Sequence, residues 1–204
     1  MLLVDDYTRL TIVFFLRNKS EDFENFKVYK EMVENEMDSK IKCLRSDNGG
    51  YFTSNEFMDY CSNRGIKRQF FVARTPQQNG FVERKNKTIQ EMALTMIMDS
   101  KLKDVFWTQV VHTIVHIQNR VMIKNNTDKT PYKLWKGRPT NAKHFRFFGS
   151  KCYIKREDGR MRKFDSRVDK GILVGYSSIY KLSMTRPFQY IVIIQVPSIS
   201  QKTR

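Results

Sequence analysis

The sequence predicts an α/β fold, because runs dense in β-branched and aromatic residues alternate with segments whose apolar residues recur every three to four positions. Hydrophobic residues make up 40% and aromatics 13% of the 204 residues, enough to bury a core. MLLVDDY and LTIVFFL read as an antiparallel hairpin joined around residues 5–9. Ser20 is placed to cap the following helix, whose apolar face carries Phe23, Phe26, Tyr29 and Val33. IKCLR reads as a short buried strand. A second helix over 54–64 turns Phe57, Tyr60 and Cys61 inward and stops at Gly65. IKRQFFV is another strand, and RTPQQNG reads as a loop from its Pro, Asn and Gly. The later strands are expected to join the hairpin edgewise. Helical patterns run over 81–99 and 104–123, and GRPTN ends the helical texture. Beyond it, SKCYIK, EDGRMRKF and KGILVGYS resemble short strands of a small β-barrel.

Charge narrows the partners. Thirty-seven Lys plus Arg against twenty-one Asp plus Glu leave a formal +16, with a pI near 9.8, which favours a polyanion and above all nucleic acid. Cys43, Cys61 and Cys152 are odd in number and lack a CxxC pair, so they suggest reduced thiols and neither a disulfide framework nor a zinc site. No apolar run approaches the roughly 18 to 20 residues of a membrane helix. Asp5 and Asp6 interrupt any signal-peptide pattern. A nuclear or cytoplasmic setting follows as the expectation.

Two acids stand out. Asp47 follows the IKCLR strand and precedes an Asn-Gly-Gly turn, and Glu83 lies in the first turns of the 81–99 helix. Each has a plain structural reading, as a turn acid and as an acid favoured by the helix N-terminus. If the intervening helix and strand fold back, the pair can instead hold Mg²⁺ against phosphate oxygens, since hard cations prefer oxygen ligands.

DDYTR, RSDNGGYF, TPQQNGFVERKNKTI and TPYKLWKGR, in this order and spacing, resemble the integrase of copia-type long-terminal-repeat retrotransposons over roughly residues 1 to 180. The resemblance implies a ribonuclease-H-like core whose D-D-E acids bind two Mg²⁺ or Mn²⁺ ions, trim a DNA end and drive its 3′-hydroxyl into target DNA. Asp47 is then the second acid and Glu83 the third. Residues 1–123 correspond to the core without its first strand, 124–148 to a linker, 149–180 to a small SH3-like β module and 181–204 to a divergent tail. The strand carrying the first acid and the upstream zinc module of two His and two Cys have no counterpart in this sequence. Asp5 and Asp6 align beside the hairpin turn, where acids cap or pair with Arg9. Little or no integration by this polypeptide alone is therefore expected. A partner integrase subunit could supply what is absent. The alternative is a remnant that binds DNA or associates with integrase subunits without chemistry, or an unfolded relic. The tail window FQYIVIIQV is apolar, uncharged and β-prone, and would aggregate if exposed.

The same resemblance sets Gln78 and Asn79, in a polar loop with Gln77 and Gly80, beside the DNA end. Asn86 and Lys87 fall one turn after Glu83, and Lys85 and Lys87 are candidates for phosphate contact. Lys151, Lys155, Arg156, Arg160, Arg162 and Lys163, interleaved with Tyr153 and Phe164, form either a nonspecific DNA surface or a solubilising one. His112 and His116 lack a third zinc ligand and read as packed or half-exposed side chains. Trp107 and Trp135 read as core or interface residues.

Overall fold

The computed structural model describes residues 1–18, 21–46, 52, 54–70, 76–155, 168–177 and 190–195; for 76–79, 154, 155, 168, 169, 177 and 190–195 it describes the backbone. The chain divides into two compact units, Met1–Val4 with Ile12–Lys87, and Asp5–Thr11 with Thr88–Arg204.

The first strands, β1 (Leu2–Val4) and β2 (Thr11–Val13), pair as the expected hairpin. Met1 and Phe14 exchange backbone hydrogen bonds at 2.7 and 2.9 Å, and the Asp5 amide donates to the Leu10 carbonyl at 2.9 Å. Helix α1 (Asp22–Met37) has Glu21 at its N-cap, and no side chain caps the helix there. The Glu21 carboxylate reaches backward instead and accepts from the Arg17 amide at 3.0 Å. Ser20 lies outside the described residues. Phe23, Phe26 and Val33 are buried, as the periodicity requires, and so is Lys30. Lys30 Nζ donates to Glu34 at 2.6 Å, while the other Glu34 oxygen accepts from the Ile41 amide at 2.9 Å. This carboxylate thus ties the end of α1 to the chain that enters β3.

Strand β3 (Cys43–Ser46) pairs in parallel with β4 (Lys67–Phe70), and α2 (Asn55–Asn63) makes the crossover. Ser54 Oγ caps α2 by accepting from the Phe57 amide, and Gly65, at φ +66°, ends the turn after it. Phe23, Phe26, Phe57, Cys61 and Ile66 form the core of this unit, with Leu44, Phe52 and Tyr60 packed on it. The rings of Phe23, Phe52 and Phe57 meet at 5.2 to 5.3 Å, edge to face.

Two expectations fail here. IKCLR is not a buried strand, because Cys43 and Arg45 face solvent and only alternate residues turn to the core. Nor do β3 and β4 join the hairpin edgewise: among the described residues they form a separate two-stranded sheet. In β3 the side chains alternate between solvent and core, as in a strand with one face to cover, and not as in one buried on both sides.

Helix α3 (Pro76–Ser100) begins five residues before the expected helix and absorbs the PQQNG segment read as a loop. Proline is favoured at a first helical position because its fixed φ suits the turn and its missing N–H has no partner to find there. In the second unit, Ile89, Ala93 and Ile97 of α3 are buried, as are Val110, Val111, Ile114 and Val115 of α4 (Trp107–Val121). A short 3₁₀ turn over Asp104–Phe106 leads into α4. Helix α5 (Pro131–Lys136) is capped by Thr130 and closed by Gly137, with Trp135 buried and Trp107 half-buried.

Strands β5 (Lys151–Lys155), β6 (Val168–Ser177) and β7 (Tyr190–Gln195) form one antiparallel sheet, while EDGRMRKF lies outside the described residues. The tail window thus becomes a strand, with Ser177 opposite Tyr190 and Gly171 opposite Gln195. Two glycines set close approaches in this unit. A Cβ on Gly149, at φ +77°, would lie 2.7 Å from Ser100 Cβ, and one on Gly175, at φ +148°, would lie 3.0 Å from Thr113 Oγ1 of α4. Gly175 also falls at the irregularity in the β6–β7 register between Leu173 and Tyr176.

Candidate functional site

The first turns of α3 carry Glu83, Asn86 and Lys87 exposed to solvent. Residues four apart return to nearly the same side of a helix, so Glu83 and Lys87 stand one above the other and present a carboxylate and an ammonium on one stripe. Lys85 points elsewhere, being half-buried, and burial lowers its pKa. That burial sets it apart from Lys87 as a phosphate contact. Arg84 folds back over Gly80, where a Cβ would meet the guanidinium at 2.6 Å. Gln78 and Asn79 belong to the opening turns of the helix and not to a loop, and their description stops at the backbone.

Asp47 lies outside the described residues; Ser46, the last residue of β3, precedes it. Asp5 and Asp6 are both engaged in the hairpin turn. Asp5 Oδ2 accepts from the Thr8 amide and hydroxyl at 2.6 and 2.7 Å, and Asp6 Oδ1 pairs with Arg9 at 3.0 Å. The described residues contain no group of three or more His, Cys, Asp or Glu able to hold a metal ion. An exposed carboxylate such as Glu83 suits a hard cation, but the described donors do not complete a site.

His112 is exposed and His116 half-buried on α4. The His116 ring stacks on Tyr176 of β6 at 4.9 Å, with Phe145 edge-on at 5.9 Å. Burial, then the charge of Arg120 and the neighbouring His144, lower the His116 pKa to about 3. Burial likewise lowers the pKa of His144, whose ring lies 4.6 Å from Phe145. These histidines hold β6 against α4 as neutral aromatic groups.

On β5, Lys151 and Tyr153 are exposed on one face, and Tyr153 stands opposite exposed Lys170 of β6. The Lys155 backbone continues that strand, while Arg156, Arg160, Arg162 and Lys163 lie outside the described residues. Sequence reasoning missed two polar residues that organise the fold, Arg68 and Asn119. Arg68 Nη2 donates to Ser46 Oγ and to the Phe52 carbonyl. The Asn119 side-chain amide brackets the Thr11 backbone with two hydrogen bonds. Each sits in a run of three polar residues, Lys67 to Gln69 and Gln118 to Arg120, so local pattern did not single it out.

No family model matches the chain. It is 35% identical over 173 residues to the retrovirus-related Pol polyprotein from transposon TNT 1-94 of Nicotiana tabacum, which covers 85% of the chain and 13% of that protein. It is 30% identical over 177 residues to the corresponding polyprotein from transposon RE2 of Arabidopsis thaliana, covering 87% of the chain and 12% of that protein. The chain therefore spans about an eighth of the length of these curated relatives. Among solved structures, the catalytic core domain of HTLV-2 integrase in complex with magnesium, in a trimeric form, matches with a TM-score of 0.50 at 21% identity. That likeness covers 65% of this chain and 80% of the other. A simian T-cell lymphotropic virus intasome in complex with the PP2A regulatory subunit B56 gamma matches with a TM-score of 0.56 at 14% identity, over 96% of this chain and 71% of the other.

Proposed function

From the premise that this chain belongs, as a segment, to the retrovirus-related Pol polyproteins of copia-type retrotransposons and has the ribonuclease-H-like fold of integrase cores, we propose that it is the DNA-integrating segment. In this reading its reaction class is metal-dependent polynucleotidyl transfer, comprising 3′-end trimming and strand transfer. The observation that carries it is the exposed stripe of α3, where Glu83 is followed one turn later by Lys87. Asp47 and Glu83 would hold Mg²⁺ or Mn²⁺, which when bound neutralises charge on the phosphodiester. Glu83 offers carboxylate oxygens to the ion, and Lys87 with Asn86 orients the DNA backbone through phosphate contacts. Gln78 and Asn79 stand next along the same DNA, and Lys155, Arg156, Arg162 and Lys163 extend the basic surface. The +16 charge supports duplex DNA as the partner. Self-association or pairing with integrase subunits is part of the same proposal, as are the divisions 1–123, 124–148, 149–180 and 181–204 and a nuclear or cytoplasmic location. No described helix is long and apolar enough to cross a membrane.

A second reading is favoured by Asp5 and Asp6, whose carboxylates are held in the hairpin turn. Neither then serves as the first acid of the set, and Asp47 with Glu83 alone would hold ions weakly. The chain would bind DNA without joining it. A strand-transfer assay with Mn²⁺ and a double-stranded DNA end, comparing the chain with Glu83→Gln, separates the two. Joined products lost in the variant support chemistry at Glu83. Absence of products from either protein, with DNA affinity that falls steeply with salt, supports the binding remnant.

A further inference from the structure

We propose that Arg84 contacts a phosphate of the DNA backbone and that Gly80 is its positioning residue, the missing side chain there setting where the guanidinium lies. This contact rests on the DNA-binding reading of α3 and adds to it a cation outside the stripe of Glu83 and Lys87. Side chains of an α-helix lean toward its N-terminus, so Arg84 reaches back one turn over residue 80. The three atoms nearest to a Cβ built on Gly80 all belong to its guanidinium, with Nη1 at 2.6 Å, Cζ at 3.3 Å and Nη2 at 3.5 Å. The guanidinium thus occupies space that any other residue at 80 would fill with its own Cβ.

The backbone does not demand glycine at this position. Gly80 lies within α3 and lacks the positive φ of Gly65, Gly137, Gly149 and Gly175. Inside a helix glycine is a poorer choice than alanine, because it has more backbone freedom to lose. Nor does the helix gain electrostatically. Its first turn, Pro76 to Asn79, holds no acid, and a cation carried back toward that end lies nearer the positive pole of the helix dipole. Arg84 is exposed, and among the described residues it makes no ion pair or hydrogen bond. Packing over Gly80 therefore fixes a solvent-facing cation that neither helix stability nor a described carboxylate explains. A planar guanidinium suits a phosphate, which can accept two parallel hydrogen bonds from it. Lys87 follows three residues later on the neighbouring surface, so folding Arg84 back spreads the two cations along the helix axis, where they can meet different phosphates.

Fluorescence anisotropy of a labelled DNA duplex, titrated with the full chain at several salt concentrations, tests the contact, with thermal unfolding of each variant alongside. One phosphate contact contributes about 0.9 to the slope of log affinity against log salt, so Arg84→Gln should lower the slope by about one and weaken binding about eightfold at about 0.1 M salt. Arg84→Lys, which keeps a cation, should restore the slope. Gly80→Ala should weaken binding while its Tm stays level or rises, because the added Cβ displaces only the end of a flexible side chain and improves the helix. The double variant should bind no more weakly than Arg84→Gln alone, since Gly80 acts through Arg84. Wild-type affinity in Gly80→Ala, a Tm that falls together with affinity, or losses that simply add in the double variant would overturn the positioning role. An unchanged slope in Arg84→Gln would overturn the contact. If the wild-type chain shows no salt-dependent affinity for duplex DNA, the DNA-binding reading falls and the contact with it; wild-type binding that ignores both substitutions leaves that reading standing and defeats the contact alone.

Discussion

Removing the Asn119 side chain should unfasten the hairpin tip from α4, and the structure sets the size of the effect. Asn119 Oδ1 accepts from the Thr11 amide at 3.0 Å, and Nδ2 donates to the Thr11 carbonyl at 2.7 Å. The pair imitates the two hydrogen bonds that a neighbouring strand would make, and it is buried: Thr11 is 1% exposed and Asn119 6%. Asn119→Leu keeps the branched shape, with bulkier methyl ends, but strands a backbone donor and acceptor, each costing about 1–3 kcal/mol when left unpaired in the interior. The loss of stability should therefore be about 2–6 kcal/mol, or roughly 2–4 °C of Tm per kcal/mol for a chain of this size. Asn119→Asp refines the test. It keeps the acceptor for the Thr11 amide but sets a carboxylate oxygen against the Thr11 carbonyl, so its proton is held more tightly in the folded state than in the unfolded one. The stability of that variant should be restored below the usual carboxylate pKa and lost as pH rises through the raised folded value. Urea unfolding of wild type, Asn119→Leu and Asn119→Asp at pH 7 and pH 5 measures both effects. A cost below about 1 kcal/mol for Asn119→Leu, or an Asn119→Asp variant indifferent to pH, would refute the argument.

Three further outcomes follow from the geometry. Acidification should destabilise the second unit: His116 and His144 are held neutral in the fold, so the unfolded chain takes up protons first and stability falls as pH drops below about 6.5. His116→Phe, which retains a ring against Tyr176, should flatten the Tm-versus-pH curve between pH 6.5 and 5. A maleimide should label exposed Cys43 at once and leave Cys61 untouched until denaturant is added, because Cys61 is fully buried and burial raises its thiol pKa against the opposing charge of Arg68; equal rates under native conditions would contradict this. Lys87→Ala should lower the slope of log DNA affinity against log salt by about one and weaken binding evenly across sequences, whereas Lys85→Ala, at a half-buried side chain, should change the slope less. Titrations at several salt concentrations measure both slopes.

Local chemistry made much of this legible in advance. The hairpin, α1, α2 with its Ser54 cap and Gly65 stop, and the β texture after residue 149 follow from turn residues, caps and periodicity, which act within a few positions of the chain. The misreadings share one cause, which is that neighbouring segments decide what local pattern leaves open. PQQNG carries loop residues, yet it continues as helix behind Pro76. IKCLR looks apolar enough for a buried strand, yet its sheet has two strands among the described residues and only one face to cover. The tail window, read as β-prone, does form a strand, β7, because β6 offers it an edge to pair with. The sequence by itself determined the charge, the motif order and the helical stripe that puts Glu83 and Lys87 side by side, since these depend on composition and on a 3.6-residue repeat. Only the tertiary structure decided that Arg68 ties Ser46 to Phe52 and that Asn119 holds Thr11, 108 positions away, because a hydrogen bond between residues distant in sequence exists only after the chain has folded to bring them within hydrogen-bond distance.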